Sequence, residues 1–184
     1  MQCGKPSCVS VCPVVATDKR EEGGIVSQIP PRCIGCRYCM ASCPYHARYF
    51  NWYDPKWPGD LDRTLTPDVS TRPRGVVEKC SFCHHRWMHA KDAAILKGED
   101  PMDLPDGAYI TACTEACPNG AITFGDLNNP KHKVYELRQS PHAFRLLERL
   151  GTEPQVYYLS KREWVRRQGD NYLEHEATGD NKKV

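Results

Sequence analysis

Residues Cys33-Ile34-Gly35-Cys36-Arg37-Tyr38-Cys39-Met40-Ala41-Ser42-Cys43-Pro44 space four thiols as C-x2-C-x2-C-x3-C-P. This is the spacing of ligands to a [4Fe–4S] cubane. Three closely set thiolates can wrap one face of the cube. The fourth, held just ahead of Pro44, points away from them. Where two clusters sit side by side, that fourth thiolate ligates the neighbouring cube. The run therefore predicts a second run and an exchange of ligands between the two. A zinc knot would use two C-x2-C pairs across a spacer, which the three thiols from Cys33 to Cys39 do not resemble.

Two further runs exist. Cys3, Cys8 and Cys12 read C-x4-C-x3-C-P, ending at Pro13. The usual first ligand of such a run would lie three residues before Cys3, ahead of Met1. The natural protein is therefore expected to begin well upstream, with a Cys codon directly before the Met1 codon. Cys80, Cys83, Cys113 and Cys117 read C-x2-C-x29-C-x3-C-P, the same pattern with a long insert. Ligand exchange gives Cys12, Cys33, Cys36 and Cys39 as one complete [4Fe–4S] set. Cys3, Cys8 and Cys43 serve a second cluster, with [3Fe–4S] the alternative if no fourth thiolate joins them. Cys80, Cys83 and Cys113 serve a third cluster and Cys117 a fourth.

Composition agrees. The chain has 184 residues, enough for one domain or two small ones, and a formal net charge of +2, so no global field argues for nucleic acid or an anionic membrane. Eleven Cys in metal-ligand clusters, an odd number, do not read as a disulfide framework. No apolar run is long enough to span a bilayer, and the N-terminus lacks the charged-then-apolar pattern of a signal peptide. With few aliphatic runs and many Pro and Gly, the fold must take much of its stability from its clusters.

Strand signals fall at 24–26, 47–52, 75–79, 121–124 and 156–159, with Gly23 and Gly24 in a turn before the first. A helix is expected over 85–97, an amphipathic helix over 140–150, and a basic helical segment over 161–167. Each Cys-Pro ending is followed by a short apolar stretch, which is an internal repeat. The expected class is α+β: a double bacterial-ferredoxin-like fold with short strands and helices around several iron–sulfur clusters. Ferredoxin-like modules occupy 1–53 and 75–128. A Pro-rich insertion fills 54–74, a docking extension 129–168, and a polar disordered tail 169–184.

Gly35-Cys36-Arg37-Tyr38-Cys39, Cys43-Pro44-Tyr45, Ala47-Arg48-Tyr49-Phe50-Asn51, Gly75-Val76-Val77-Glu78-Lys79-Cys80, and Ala116-Cys117-Pro118 with Gly120-Ala121-Ile122-Thr123-Phe124-Gly125-Asp126-Leu127-Asn128 carry a family resemblance. From about Met1 to Leu159 the chain resembles the four-cluster iron–sulfur subunit of dimethyl sulfoxide reductase-type molybdoenzymes. Polysulfide reductase, nitrite-reductase-associated and menaquinone-reductase complexes, and alternative complex III, carry similar subunits. The resemblance implies up to four [4Fe–4S] clusters in a line and an upstream Cys partner for Cys80, Cys83 and Cys113. It also implies a molybdopterin-type large subunit on one side, an NrfD-like quinone-interacting integral membrane subunit on the other, and in some complexes a cytochrome c subunit. Such a chain is a non-catalytic electron relay held peripherally at a membrane through its partners, the periplasmic face being favoured over the cytoplasmic.

Other chemistries compete for the same residues. Cys80-Ser81-Phe82-Cys83-His84 is a C-x-x-C-H, the attachment signature of c-type haem, but its use would orphan Cys113 and Cys117. A radical-generating enzyme would need C-x3-C-x2-C, which neither Cys8–Cys12 nor Cys39–Cys43 completes. A nucleic-acid module would need a basic face with aromatics, and only Lys161-Arg162 and Arg166-Arg167 come near it. A ferredoxin acting alone is the remaining alternative. Arg37 and Lys79, beside ligands, could raise a nearby potential or simply face solvent.

Overall fold

A computed structural model describes residues 1–21 and 24–170. Glu22, Gly23 and the polar residues 171–184 lie outside the described residues. The elements, in order, are α1 (Ser7–Ser10), β1 (Thr17–Lys19), β2 (Val26–Gln28), α2 (Tyr38–Ala41), β3 (Tyr49–Phe50) and β4 (Val77–Glu78). They are followed by α3 (His84–Lys97), α4 (Ala112–Glu115), α5 (Lys133–Arg138), β5 (Ala143–Phe144), β6 (Tyr158–Leu159) and α6 (Glu163–Asp170). Single 3₁₀ turns at Pro30–Arg32, Leu61–Thr64 and Glu148–Leu150 join them.

Among the described residues the strands pair into three antiparallel ribbons of two. In β1–β2, Thr17 faces Gln28 and Lys19 faces Val26. In β3–β4, Tyr49 faces Glu78 and Phe50 faces Val77. In β5–β6, Ala143 faces Leu159 and Phe144 faces Tyr158. Isolated two-stranded ribbons are marginal in water, so each needs a face covered. For the first two, that cover is a core in which Val26 and Val77 pack with Cys8 and Cys39, flanked by Val9, Val11, Cys33, Met40 and Phe50. Thiol side chains are thus part of the core itself, and helix α1 packs against α2 beside it.

The three Cys-Pro endings fold alike. Pro at the second turn position presets φ and withholds an N–H that could not be paired there. The third residue after each Cys then donates back to the Cys carbonyl: Val15 to Cys12 at 3.5 Å, His46 to Cys43 at 3.2 Å, and Gly120 to Cys117 at 3.2 Å. All three donors are left-handed, with φ of +50°, +48° and +58°. The repeat seen in the sequence is therefore a repeat in backbone geometry.

Some expectations move. The strand expected at 24–26 forms at Val26–Gln28, where its donors meet β1. The strand expected over 47–52 is confined to Tyr49–Phe50, and that over 75–79 to Val77–Glu78. Residues 121–124 are not a strand, because Ala121 N–H turns to the Cys117 sulfur and Phe124 leaves to stack on Phe82 and Tyr109. Residues 140–150 are not a helix. Leu147 is left-handed at φ +51°, and Phe144 pairs in β5 against Tyr158. Helix α5 carried too little apolar periodicity to be expected. The helix read over 85–97 is α3, stopped by left-handed Gly98, whose N–H returns to the Ile95 carbonyl. The basic helical segment read over 161–167 is α6, which runs on to Asp170 and so takes in the first residues of the span read as a tail.

A β-branched residue in left-handed backbone is strained by about 1–3 kcal/mol. Val15→Asn, which relieves this, should raise the anaerobic thermal-unfolding midpoint. Gly120→Val, which imposes it on the equivalent turn, should lower stability by about 2 kcal/mol. Equal midpoints for the two variants would show that the turns are not equivalent.

Candidate iron–sulfur sites

Cys12, Cys33, Cys36 and Cys39 line one cavity together with Gly35, Thr17, Gln28 and Val77. These are the four thiols that ligand exchange groups together, drawn from two runs. The loop from Cys33 brings its thiols round through two left-handed residues, Gly35 at φ +72° and Arg37 at φ +63°. Gly35 has no substitute here: a Cβ would lie 2.2 Å from the Gly75 carbonyl oxygen and 3.2 Å from the Phe50 ring. Val77 N–H points at the Cys33 sulfur at 3.5 Å, and Ala16 N–H at the Cys12 sulfur at 3.2 Å.

Donors of this kind decide whether a thiol becomes a thiolate. Burial pushes the Cys12 thiol up, but amides of Val14, Thr17 and Ala16 outweigh it and hold the thiol below its ordinary value. Cys117 repeats the arrangement. Amides of Ala121, Asn119, Ile122 and Gly120 converge on its sulfur and pull it down against a small effect of burial, with Ala121 N–H at 3.3 Å. Residues two, four and five past the Cys thus serve the sulfur in both turns.

Cys8 and Cys43 are buried and Cys3 is half-buried. Burial raises the Cys3 thiol, the N-terminal amine and the Thr152 hydroxyl oppose it, and the charges of Cys8 and Cys43 add to the rise. These three thiols therefore share one neighbourhood. The C-terminal segment closes over it. Gly4 N–H donates to Glu153 O at 2.6 Å, Lys5 N–H to Thr152 O at 3.0 Å, and Gln155 N–H to Met1 O at 3.0 Å. Tyr45 and Thr152 share a hydroxyl hydrogen bond of 2.5 Å.

Backbone before the second thiol of each run is also alike. Gln2 before Cys3, Gly35 before Cys36 and Phe82 before Cys83 are all left-handed. In the third run, Ala112 N–H points at the Cys83 sulfur at 3.3 Å, so the 29-residue insert returns Cys113 to the Cys80–Cys83 loop. Phe82 N–H points at the Cys80 sulfur at 3.4 Å. Thr111 caps α4 and its hydroxyl lies 3.1 Å from the Cys113 sulfur. Haem capture would have no use for that return. His84 Nε2 is buried without a hydrogen-bond partner, its ring set against Trp87 at 5.4 Å.

Two cations stand between these groups: Arg48, which sequence reasoning missed, and Lys79, which it offered either as a potential-raising charge or as one facing solvent. Arg48 is 3 % exposed and donates through Nη2 to the Cys8 sulfur at 3.1 Å, and through Nη1 to Gln28 Oε1 at 2.7 Å and Thr17 Oγ1 at 3.1 Å. Lys79 is half-buried. Burial, then the charge of Arg48, pushes its ammonium down to about 8. It donates to Gln2 Oε1 at 3.1 Å, to Cys80 O at 2.9 Å and to the Val26 carbonyl. Arg37, by contrast, is exposed and lies over the rings of Phe50 and Trp52, 5.3 and 5.0 Å from their centroids. Sequence alone offered one signal for Arg48: a charged residue inside the strand-like stretch 47–52.

The donor set fits cubanes. Among the described residues no three Cys, His, Asp or Glu side chains converge on a single-ion site. Four thiols instead line one cavity, and backbone N–H groups are aimed at the sulfurs of Cys12, Cys33, Cys80, Cys83 and Cys117, as clusters with sulfide corners require.

Comparison with known proteins agrees. The 4Fe-4S dicluster domain family matches residues 1–58. The menaquinone reductase iron-sulfur cluster-binding subunit of Nitratidesulfovibrio vulgaris is 80 % identical over 176 residues, covering 96 % of this chain and 69 % of that protein. The Hdr-like menaquinol oxidoreductase iron-sulfur subunit 1 of Archaeoglobus fulgidus is 42 % identical, over 85 % of this chain and 53 % of its own length. The B subunit of polysulfide reductase from Wolinella succinogenes is 37 % identical, over 86 % of this chain and 63 % of its own. The chain thus spans between about half and about two thirds of the length of these relatives.

Gly35→Ala forces a methyl into the Gly75 carbonyl and into left-handed backbone. It should destabilise the fold by about 3 kcal/mol or more and leave the chain about four irons short. Iron analysis of anaerobically purified protein checks this; full iron content would show that the loop is free to move.

Proposed function

The chain belongs to the family of iron–sulfur cluster-binding subunits that includes those of menaquinone reductase and polysulfide reductase, and on that footing we propose that it relays single electrons through a row of [4Fe–4S] clusters. The observation that carries this reading is the single cavity lined by Cys12 and by Cys33, Cys36 and Cys39. Cys12 comes from another run and reaches the cavity only because its turn folds back along β1–β2, which supports the ligand exchange. We assign Cys12, Cys33, Cys36 and Cys39 to one cluster and Cys3, Cys8 and Cys43 to its neighbour. Cys80, Cys83 and Cys113 belong to a third and Cys117 to a fourth. The arrangement is that of a double ferredoxin-like fold, its two halves being the modules at 1–53 and 75–128.

A cubane supplies one-electron storage with a potential set by its charge, its hydrogen bonds and its solvent exposure. The chain's residues supply the last two. Amides of Val77, Ala16, Ala112 and Ala121 hold negative sulfur. Val26 and Val77, each 1 % exposed, keep water from the first two sites. The segment 152–155 covers Cys3.

The relatives are named as subunits of larger complexes, and the resemblance suggests the kind of partner. We propose a catalytic subunit of molybdopterin type, or a related one, at one end, and a quinone-interacting membrane subunit at the other. Among the described residues no helix is long and apolar enough to cross a membrane, which supports association through those partners.

Cys12→Ser is the discriminating variant. Under ligand exchange it should remove or convert the same cluster signal as Cys36→Ser, in low-temperature electron paramagnetic resonance of dithionite-reduced protein. The signal assigned to Cys3, Cys8 and Cys43 should remain. If Cys12→Ser instead matches Cys8→Ser, the assignment is wrong. If the wild-type protein contains no labile sulfide, the electron-relay reading fails.

A further inference from the structure

We propose that Arg48 is a positioning residue that fixes one positive charge between two adjacent iron–sulfur sites and raises the reduction potential of both, most strongly the one ligated by Cys8. The proposal rests on the cluster reading given above.

Arg48 is 3 % exposed, so its guanidinium is stripped of almost all its water. Such a charge is costly unless it is fully hydrogen-bonded and faces negative charge. Its neutral protein partners do not suffice: Gln28 Oε1 and Thr17 Oγ1 occupy Nη1, while Nε is buried with no partner. Nη2 is aimed at the Cys8 sulfur at 3.1 Å. The compensating charge is therefore sulfur, and it comes from two sides. Cys8 belongs to one ligand set and Cys39 to the other. Cys8 and Cys39 pack in one core cluster, and Thr17 and Gln28, which hold Nη1, line the cavity that Cys39 shares with Cys12, Cys33 and Cys36. The β1–β2 ribbon holds the head in place, since Thr17 and Gln28 face each other in its register and hydrogen-bond at 2.9 Å.

Each electron added to a cluster adds negative charge. A fixed cation beside the sulfur stabilises the reduced form more than the oxidised one, as an opposite charge within a few ångströms favours any anion. Placed between two sites, the same charge also lessens the penalty that an electron on one imposes on the other.

The test is a dithionite titration of the cluster-loaded full chain, followed by electron paramagnetic resonance, for the wild type, Arg48→Gln, Arg48→Lys and Gln28→Glu. Gln28→Glu replaces no ligand but, since Gln28 lines the cavity of Cys12, Cys33, Cys36 and Cys39, sets a carboxylate beside both the guanidinium and that site, so Arg48→Gln is the variant that isolates the guanidinium. Arg48→Gln and Gln28→Glu should each lower the reduced-to-oxidised ratio at fixed potential at least tenfold in one cluster, about 59 mV for one electron. A smaller shift of the same sign is expected in its neighbour. Arg48→Lys should stay within threefold of wild type. Full cluster loading with a less than twofold change in Arg48→Gln or in Gln28→Glu overturns the proposal. So does Arg48→Lys matching Arg48→Gln, and so does loss of clusters from both neutralised variants with Arg48→Lys loaded, which would make Arg48 structural only. Clusters present without a shift sink this inference alone; absence of labile sulfide in the wild type sinks the reading beneath it.

Discussion

A thiolate taken out of water must be met by hydrogen-bond donors, and among the described residues these are backbone amides at Cys12, Cys33, Cys80, Cys83 and Cys117 and side chains at Cys8 and Cys113. That requirement sets the local geometry. An amide can face a sulfur only if it is not spent in a helix or a sheet. Near its cysteines the chain accordingly has ribbons of two or three residues and single-turn helices, α3 after Cys83 excepted. Pro after Cys, followed two residues later by left-handed backbone, is the device that frees the amides and aims them. It occurs at Cys12, Cys43 and Cys117, and at Cys12 and Cys117 it depresses the thiol against burial. Short elements are therefore a consequence of the sulfur sites and not a sign of a weak fold.

The apolar core follows from the same constraint. Its members Cys8 and Cys39 come from two ligand runs, and Val26 and Val77 from two ribbons. The residues that pack the interior are interleaved with those that serve the sites, so packing and ligation stabilise each other. Segments outside this unit attach to it by backbone pairing. Residues 1–5 pair with 152–155 and bring Thr152 over Cys3. His132, 7 % exposed, anchors the insert between Cys83 and Cys113 by accepting from Asp126 N–H at 3.0 Å and meeting Leu104 O at 3.0 Å.

Sequence spacing carried the chemistry far and the fold less far. Spacing alone groups Cys12 with Cys33, Cys36 and Cys39, because ligand geometry is written in intervals of two and three residues. Helix α3 was legible to within one residue of its bounds. The strand expected at 121–124 was not realised, since a β-rich composition cannot reveal that an amide is claimed by Cys117. The helix expected at 140–150 failed for a related reason: Phe144, Leu147 and Leu150 have helical spacing, but Phe144 is claimed by Tyr158 fourteen residues on. Lys79 could be read either as a charge that raises a nearby potential or as one that faces solvent. Its burial depends on Gln2, Val26 and Cys80, whose meeting is a tertiary event.

A formal net charge of +2 suggests a molecule without an electrostatic bias. The interior contradicts that suggestion. Coulomb energy scales inversely with effective dielectric constant, so a charge in the interior counts several times more than one on the surface. Arg48 and Lys79 sit inside, close enough that the charge of Arg48 helps push the Lys79 ammonium down. Two cations are held together at a cost, and only nearby negative charge can offset it. The thiolates of Cys80, Cys8 and Cys3 each raise Lys79 in return. The negative charge that faces the two cations is that of the sulfur sites, so loading those sites and stabilising the fold are coupled.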